Sequence, residues 1–404
     1  MHALRISFTL PYSVYGSDSI QLGSSSDPAR PGYVDLRSLA TFDFRSNFFG
    51  RLPRVVDSDS NQAGERKRKA LIRVPPLDLS QTTWPGLPHA NVVNAITFVA
   101  RRGLHRYPYT LDAELRGELA NRHGLDTARL IIGNGAAELL GAATRALIEP
   151  GQKLITSWPS YPLFPIMARR AHGQAVPVTG GVEELLDAVA VKDTRVVALA
   201  SPNDPTGELL PSGELRRLLD GLPDGVALLL DESLVEFSDA QPIDSSLALL
   251  EDHPSLLVFR SFSKAWGLAG LRCGYALGGP GSEALLAELE PDLGVSEISQ
   301  AAALEALRTG SELLAKRVRV VIEERALLTR ALRERDFEVS DSQANFLWVA
   351  HPFLDGGELV ARLARAGVLV AGGDALGDSR HVRIGLRDAA ARTRLLQAID
   401  RISD

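Results

Sequence analysis

The residues best suited to chemistry lie between Ser261 and Tyr275, in the run Ser-Phe-Ser-Lys-Ala-Trp-Gly-Leu-Ala-Gly-Leu-Arg-Cys-Gly-Tyr. An apolar stretch, Leu256 to Phe259, leads into two hydroxyls and a lysine, Lys264, before a glycine-bearing loop that carries Arg272. A lysine set among Phe262, Ala265 and Trp266 is placed to lose solvation, and a desolvated amine becomes neutral and nucleophilic more easily. Taken alone, such a lysine is more often an ordinary solvated surface residue. Its company changes that balance.

Four other features fall at the ends of apolar runs. Gly133 to Glu138 is a glycine-bearing turn opening a helix, where backbone amides such as those of Gly135, Ala136 and Ala137 bind phosphate. A dinucleotide fingerprint would need a third glycine where Glu138 stands, so that alternative is disfavoured. Tyr161, in Ser157-Trp158-Pro159-Ser160-Tyr161-Pro162, could stack on a flat heterocycle, although core packing is the commoner fate of a single aromatic. Asn203 sits in the rigid turn Ser201-Pro202-Asn203-Asp204-Pro205-Thr206-Gly207. Asp231 ends the run Val226–Leu230, as a helix cap or as a partner for a cation. Together these supply a phosphate cradle, a stacking ring, a contact for a phenolic oxygen, an anion for a pyridinium nitrogen and an amine for an aldehyde. That set describes pyridoxal 5′-phosphate, whose ring accepts the electrons of a carbanion while its nitrogen stays protonated.

The elements that must position these groups alternate. Strand candidates Leu130–Ile132, Leu154–Thr156, Val196–Ala200, Val226–Leu230, Leu256–Phe259 and Tyr275–Leu277 are separated by helical patterns, among them Leu111, Leu115 and Leu119 on one face. Near-continuous apolar strands between helices predict an α/β fold with a mostly parallel sheet covered on both faces. Ligands bind at the carboxyl ends of such strands. Beyond Pro291, helices over about 296–308 and 311–335 lead to a smaller α+β unit holding Asn345–Val349, Val368–Val370 and His381–Arg387.

Residues 1–72 read differently. They are rich in Ser, Asp, Asn and Gly and close on Glu65-Arg66-Lys67-Arg68-Lys69, with strand-like alternation at Leu4–Leu10 and Thr41–Arg45. The basic run is short enough to be a solvated linker.

The 404 residues suffice for two domains, and a net charge of −6 argues against a nucleic-acid partner. One cysteine excludes an internal disulfide and fits a reducing, cytoplasmic setting. No run is long enough for a membrane helix, and the eight histidines form no metal-ligating pattern.

The order G-N-G…S-P-N-D-P-T-G…D-E…S-F-S-K-x-x-G-L-A-G-L-R-x-G-Y resembles the class I/II aminotransferases among fold-type I pyridoxal-phosphate enzymes, over about residues 76 to 404. In pattern it is most similar to histidinol-phosphate aminotransferase and threonine-phosphate decarboxylase. The resemblance implies a large cofactor-binding domain (106–290), preceded by an arm (73–105) and followed by a small domain (291–404); the extension (1–72), of uncertain structure, is not a feature of that family. It implies that Lys264 binds the cofactor as a Schiff base and moves the proton, that Asp231 pairs with the pyridine nitrogen, that Asn203 meets the ring hydroxyl and that Tyr161 stacks on the ring. Gly135, Ala136, Ala137, Ser261, Ser263 and Arg272 would hold the phosphate. Tyr107 would reach it from a partner subunit, which makes a homodimer with shared sites. Arg383 would clamp the α-carboxylate of an amino-acid substrate.

Three departures stand out. Leu234 replaces a tyrosine that donates to the ring oxygen. Trp84 stands where the arm usually has asparagine, and is expected to narrow or re-aim the substrate pocket; Asn345 is expected to bind the substrate. Ala350 and His351 follow Asn345–Val349 where the histidinol-phosphate enzymes often have arginine. The implied reaction is transamination, with biosynthesis of a secondary metabolite as a setting. Decarboxylation, β- or γ-elimination or replacement, or cyclisation is the alternative, and a pyridoxal-phosphate-fold regulator a remote one.

Overall fold

The computed structural model describes residues 75–108 and 111–403. The expectations for residues 1–72 lie outside the described residues. The centre is a seven-stranded sheet of β2 (Leu130–Gly133), β3 (Lys153–Ser157), β4 (Gln174–Val178), β5 (Thr194–Ala200), β6 (Ala227–Asp231), β7 (Leu256–Ser261) and β8 (Gly274–Gly278), in the order β2-β8-β7-β6-β5-β3-β4. The steps from β7 through β6, β5 and β3 to β4 are parallel, and β8 runs against both its neighbours.

The apolar strands explain the layers. Successive side chains on a strand face opposite ways. Ile132, Ile155, Val197, Leu199, Leu228, Leu230 and Val258 accordingly enter one core. Their neighbours Ile131, Leu154, Val196, Ala198, Leu229 and Leu257 enter another on the opposite face. Helix Asp112–His123 seals the first through Leu115 and Leu119, both fully buried. Helices Ala136–Leu147 and Leu163–Arg170 seal the second through Leu139, Leu140 and Phe164.

A third core lies around a four-stranded antiparallel sheet ordered β12-β13-β10-β9, from β9 (Glu338–Val339), β10 (Phe346–Ala350), β12 (Ala371–Gly372) and β13 (His381–Gly385). The change of core does not fall at 290/291, where the small domain was expected to begin. Helix Glu297–Thr309 packs Ala302, Ala303, Leu304 and Leu307 into the first core, and only Val321, Leu328 and Leu332 of helix Ser311–Arg333 belong to the third. A composition break marks the chain's turn, whereas the core changes where one long helix crosses from one apolar surface to the next.

The arm belongs with the third core. β1 (Leu77–Asp78) pairs in parallel with β11 (Val368–Leu369), and Gly385 donates its N–H to the Leu79 carbonyl at 2.7 Å.

Candidate active site

Strand register brings the expected groups to one end of the sheet. Ala200 pairs with Asp231, Asp231 with Phe259, Ser261 with Gly274, and Gly274 with Gly133. The loops leaving these residues carry Asp204, Ser233 and Lys264, and with helix Ala136–Leu147 they surround a cavity of about 500 Å³. Lys264, Asp231, Tyr161, Ala136, Ala137, Ser261, Ser263 and Arg272 all line it.

Lys264 donates a hydrogen bond to the Thr82 hydroxyl on the arm. Burial lowers its amine from the usual 10.5 to about 8; Arg383 and Arg272 push the same way, while Asp204 and Asp231 oppose. Asp231 accepts the Ser233 N–H at 2.9 Å, and burial still holds its carboxyl above the usual range. The Tyr161 phenol is pushed up by burial and by the carboxylates of Asp231 and Asp204, so it stays protonated. Its ring meets Phe164 edge-on at 5.4 Å.

The phosphate end is built by close approach. Gly135, at φ +93°, precedes the helix, and a Cβ there would fall 2.5 Å from a terminal nitrogen of Arg272. A Cβ on Gly274 would fall 2.5 Å from the Ala136 amide nitrogen. Glycine at both points lets β8 and the Arg272 guanidinium reach the helix amino terminus, where N–H groups and the helix dipole favour an anion. Arg272 donates to the Ser263 hydroxyl at 3.3 Å, and Ser261 accepts the Ser263 N–H at 3.1 Å.

Several expected residues do not line the cavity, Asn203 and Trp84 among them. The Asn203 amide is used up between its own turn and the loop at Pro159 and Ser160. Its oxygen accepts from Ser160 at 2.7 Å, and its nitrogen donates to the Pro159 carbonyl at 3.0 Å and the Thr206 hydroxyl at 2.9 Å. Asp204 lines the cavity instead, and ion-pairs with Arg383. Trp84 does not narrow the pocket: its ring packs on the third core under the Arg317 guanidinium, 5.6 Å away. Gln81, Thr82 and Thr83 form that part of the wall.

Asn345 acts through the arm. Its amide donates to the Thr82 carbonyl at 2.8 Å, while its oxygen is buried with no partner among the described residues. Tyr107 is 65% exposed and does not line this chain's own cavity. Leu234 does line it, so an apolar wall stands where the family pattern has a phenol.

The desolvated amine, the buried carboxylate facing it and the anion cradle beyond fit pyridoxal 5′-phosphate. A lysine after β7 and an aspartate ending β6 of a mostly parallel sheet define a fold-type I pyridoxal-phosphate enzyme. Residues 75–399 match the family described as aminotransferase class I and II, and the chain belongs to that family. It is 35% identical over 277 residues to the aromatic amino acid aminotransferase of Cutibacterium acnes, covering 67% of this chain and 78% of that one. It is 34% identical over 304 residues to the histidinol-phosphate aminotransferase of Geobacillus thermodenitrificans, covering 72% and 81%. Among solved structures, histidinol-phosphate aminotransferase from Sinorhizobium meliloti in complex with pyridoxal-5′-phosphate superposes with a TM-score of 0.73 at 27% identity, covering 88% of this chain and 98% of that one. The protein is a pyridoxal-phosphate-dependent aminotransferase acting on an amino acid.

Proposed function

We propose that the enzyme removes the amino group of an α-amino acid with an apolar, aromatic side chain. The observation that carries this reading is the cavity wall. Leu163, Leu234, Ala200, Pro202 and Ala269 face the space, and Lys264 and Arg272 are the only cations among the described lining residues. Both are needed by the cofactor, which leaves no lining cation for a phosphate on the substrate. The relatives named as aromatic amino acid aminotransferases agree with that wall.

The cofactor supplies the aldehyde that takes the amino group and a ring that stabilises negative charge at Cα. Lys264 would hold it covalently until the substrate's amine takes that place, and the freed amine, near neutrality, would be suited to take the proton from the substrate's Cα. Asp231 would keep the ring nitrogen protonated, and Tyr161 would pack on the ring. Gly135, Ala136, Ala137, Ser261, Ser263 and Arg272 hold the phosphate, and Arg383 receives the α-carboxylate. The active form is a homodimer in which the partner subunit's Tyr107 reaches the phosphate; the exposure of Tyr107 supports this. The single cysteine, Cys273, buried and unpaired, supports a cytoplasmic setting.

The test is kcat/KM with phenylalanine, tyrosine, tryptophan and histidinol phosphate as donors and 2-oxoglutarate as acceptor. An aromatic amino acid is expected to lead. Histidinol phosphate in first place would overturn the reading.

A further inference from the structure

The cavity already holds a carboxylate where the substrate's carboxylate is expected. Asp204, in the turn after β5, ion-pairs through Oδ1 with Nη1 of Arg383 on β13. Both side chains are buried, 8% and 7% exposed. Arg383 is held from two further sides, donating to the Ser80 carbonyl at 3.3 Å and lying over the Phe346 ring at 5.3 Å. Asp204 lines the cavity and Arg383 does not. The carboxylate therefore stands between the guanidinium and the space a ligand would enter.

We propose that Asp204 is an internal competitor of the substrate's carboxylate: it closes Arg383 in the free enzyme, and a ligand carboxylate reaches the guanidinium only by displacing it. The proposal rests on the reading of Arg383 as the carboxylate receptor. Exchanging one carboxylate for another at the same guanidinium leaves the charge-assisted hydrogen bonds nearly unchanged. The displaced Asp204 then loses its partner in a cavity that also holds Asp231, and an unpaired buried charge is unfavourable. The substrate's carboxylate thus adds little net affinity, and selection passes to the apolar wall. In the free enzyme the same pair spares Arg383 from standing buried and uncompensated.

The experiment uses the holoenzyme and two unreactive probes, 3-phenylpropionate and its primary amide, with dissociation constants from calorimetry. Wild type is expected to prefer the acid by less than about tenfold, because the charge-assisted bonds gained repeat those lost. Asp204→Asn is expected to tighten the acid by about tenfold or more while the amide changes little. KM for the amino acid should fall by more than kcat changes. Acid binding that is unchanged in Asp204→Asn would overturn the proposal. So would weaker binding, since Asp204 would then be holding Arg383 in place for the substrate. Should that variant fail to fold, the wild-type ratio decides alone, and a preference for the acid beyond about tenfold overturns it. Arg383→Gln in the Asp204→Asn background separates the two readings. Loss of the gain confirms Arg383 as receptor, whereas an undiminished gain would refute the receptor reading itself.

Discussion

At the scale of single residues, burial does most of the electrostatic work. Lys264 folds with its amine near 8 rather than 10.5 because it loses water faster than Asp204 and Asp231 restore its charge. Only the neutral amine attacks an aldehyde, so covalent uptake of pyridoxal phosphate by the apoenzyme should accelerate as pH rises from 7 to 9, with a midpoint near 8. Stopped-flow absorbance would follow it, and a pH-independent rate would refute the assignment; Lys264→Ala should abolish the attachment and lower turnover by at least about a hundredfold. Glu236 shows the opposite sign. Burial lifts its carboxyl from 4.5 to about 7, one oxygen accepts the Trp266 indole N–H at 3.1 Å, and the other has no partner among the described residues. Its folded value lies above the unfolded one, so the unfolded chain loses the proton first and stability falls as pH rises from about 4.5 to about 7. Glu236→Gln keeps the acceptor and cannot ionise. Denaturant titrations should find it more stable than wild type at pH 8 and little different at pH 4.5. Residue types and spacing made Lys264, Asp231 and Arg272 legible in the sequence. They pointed to Asn203, whereas its neighbour Asp204 lines the cavity, and only the fold says which side chain of the turn is turned inward.

At the scale of elements, the arm is the part of the site that the sequence described least well. Gln81 to Thr83 form one wall of the cavity without belonging to a helix or strand, with no periodicity to announce them, and are held from outside. Arg317 of helix Ser311–Arg333 donates to the carbonyls of Leu87, Ala265 and Trp266 at 2.8, 3.2 and 2.7 Å, tying the arm to the loop around Lys264. Asn345, at the entrance to β10, ties it again through Thr82. Removing that second tie should loosen the Thr82 hydroxyl that accepts from Lys264. Asn345→Ala is therefore expected to raise KM by about tenfold, the value of one buried hydrogen bond, with a smaller change in kcat. Unaltered steady-state kinetics would show that the arm is fixed without it. The central strands were legible because residues apolar on both faces leave few other places to go. β4 was not, because Pro177 interrupts Gln174–Val178, and proline is tolerated there only because β4 is an edge strand. A sequence records the proline but not the edge.

At the scale of the whole molecule, large exposed apolar side chains of the described residues gather in and around one helix. Val93 and Phe98 of helix Ala90–Gly103, with Leu87, Leu104 and Tyr107 on either side, are 45%, 58%, 86%, 74% and 65% exposed. Large apolar side chains exposed within twenty-one positions of sequence are what a docking surface for another protein presents. The helix beneath it, Glu297–Thr309, is packed into the first core, so the patch is presented on a rigid support. If a second copy covers it, Tyr107 of one chain serves the cavity of the other, and this can be read without a structure of the pair. A Lys264→Ala chain carries an intact Tyr107, and a Tyr107→Ala chain an intact Lys264. Co-expressed, they form mixed dimers in which one site has both residues and the other has neither. With random pairing, activity at limiting cofactor should recover to roughly a quarter of wild type, above the sum of the two variants alone. Recovery no greater than that sum would mean that each chain completes its own site, and the exposed face would then need a different partner.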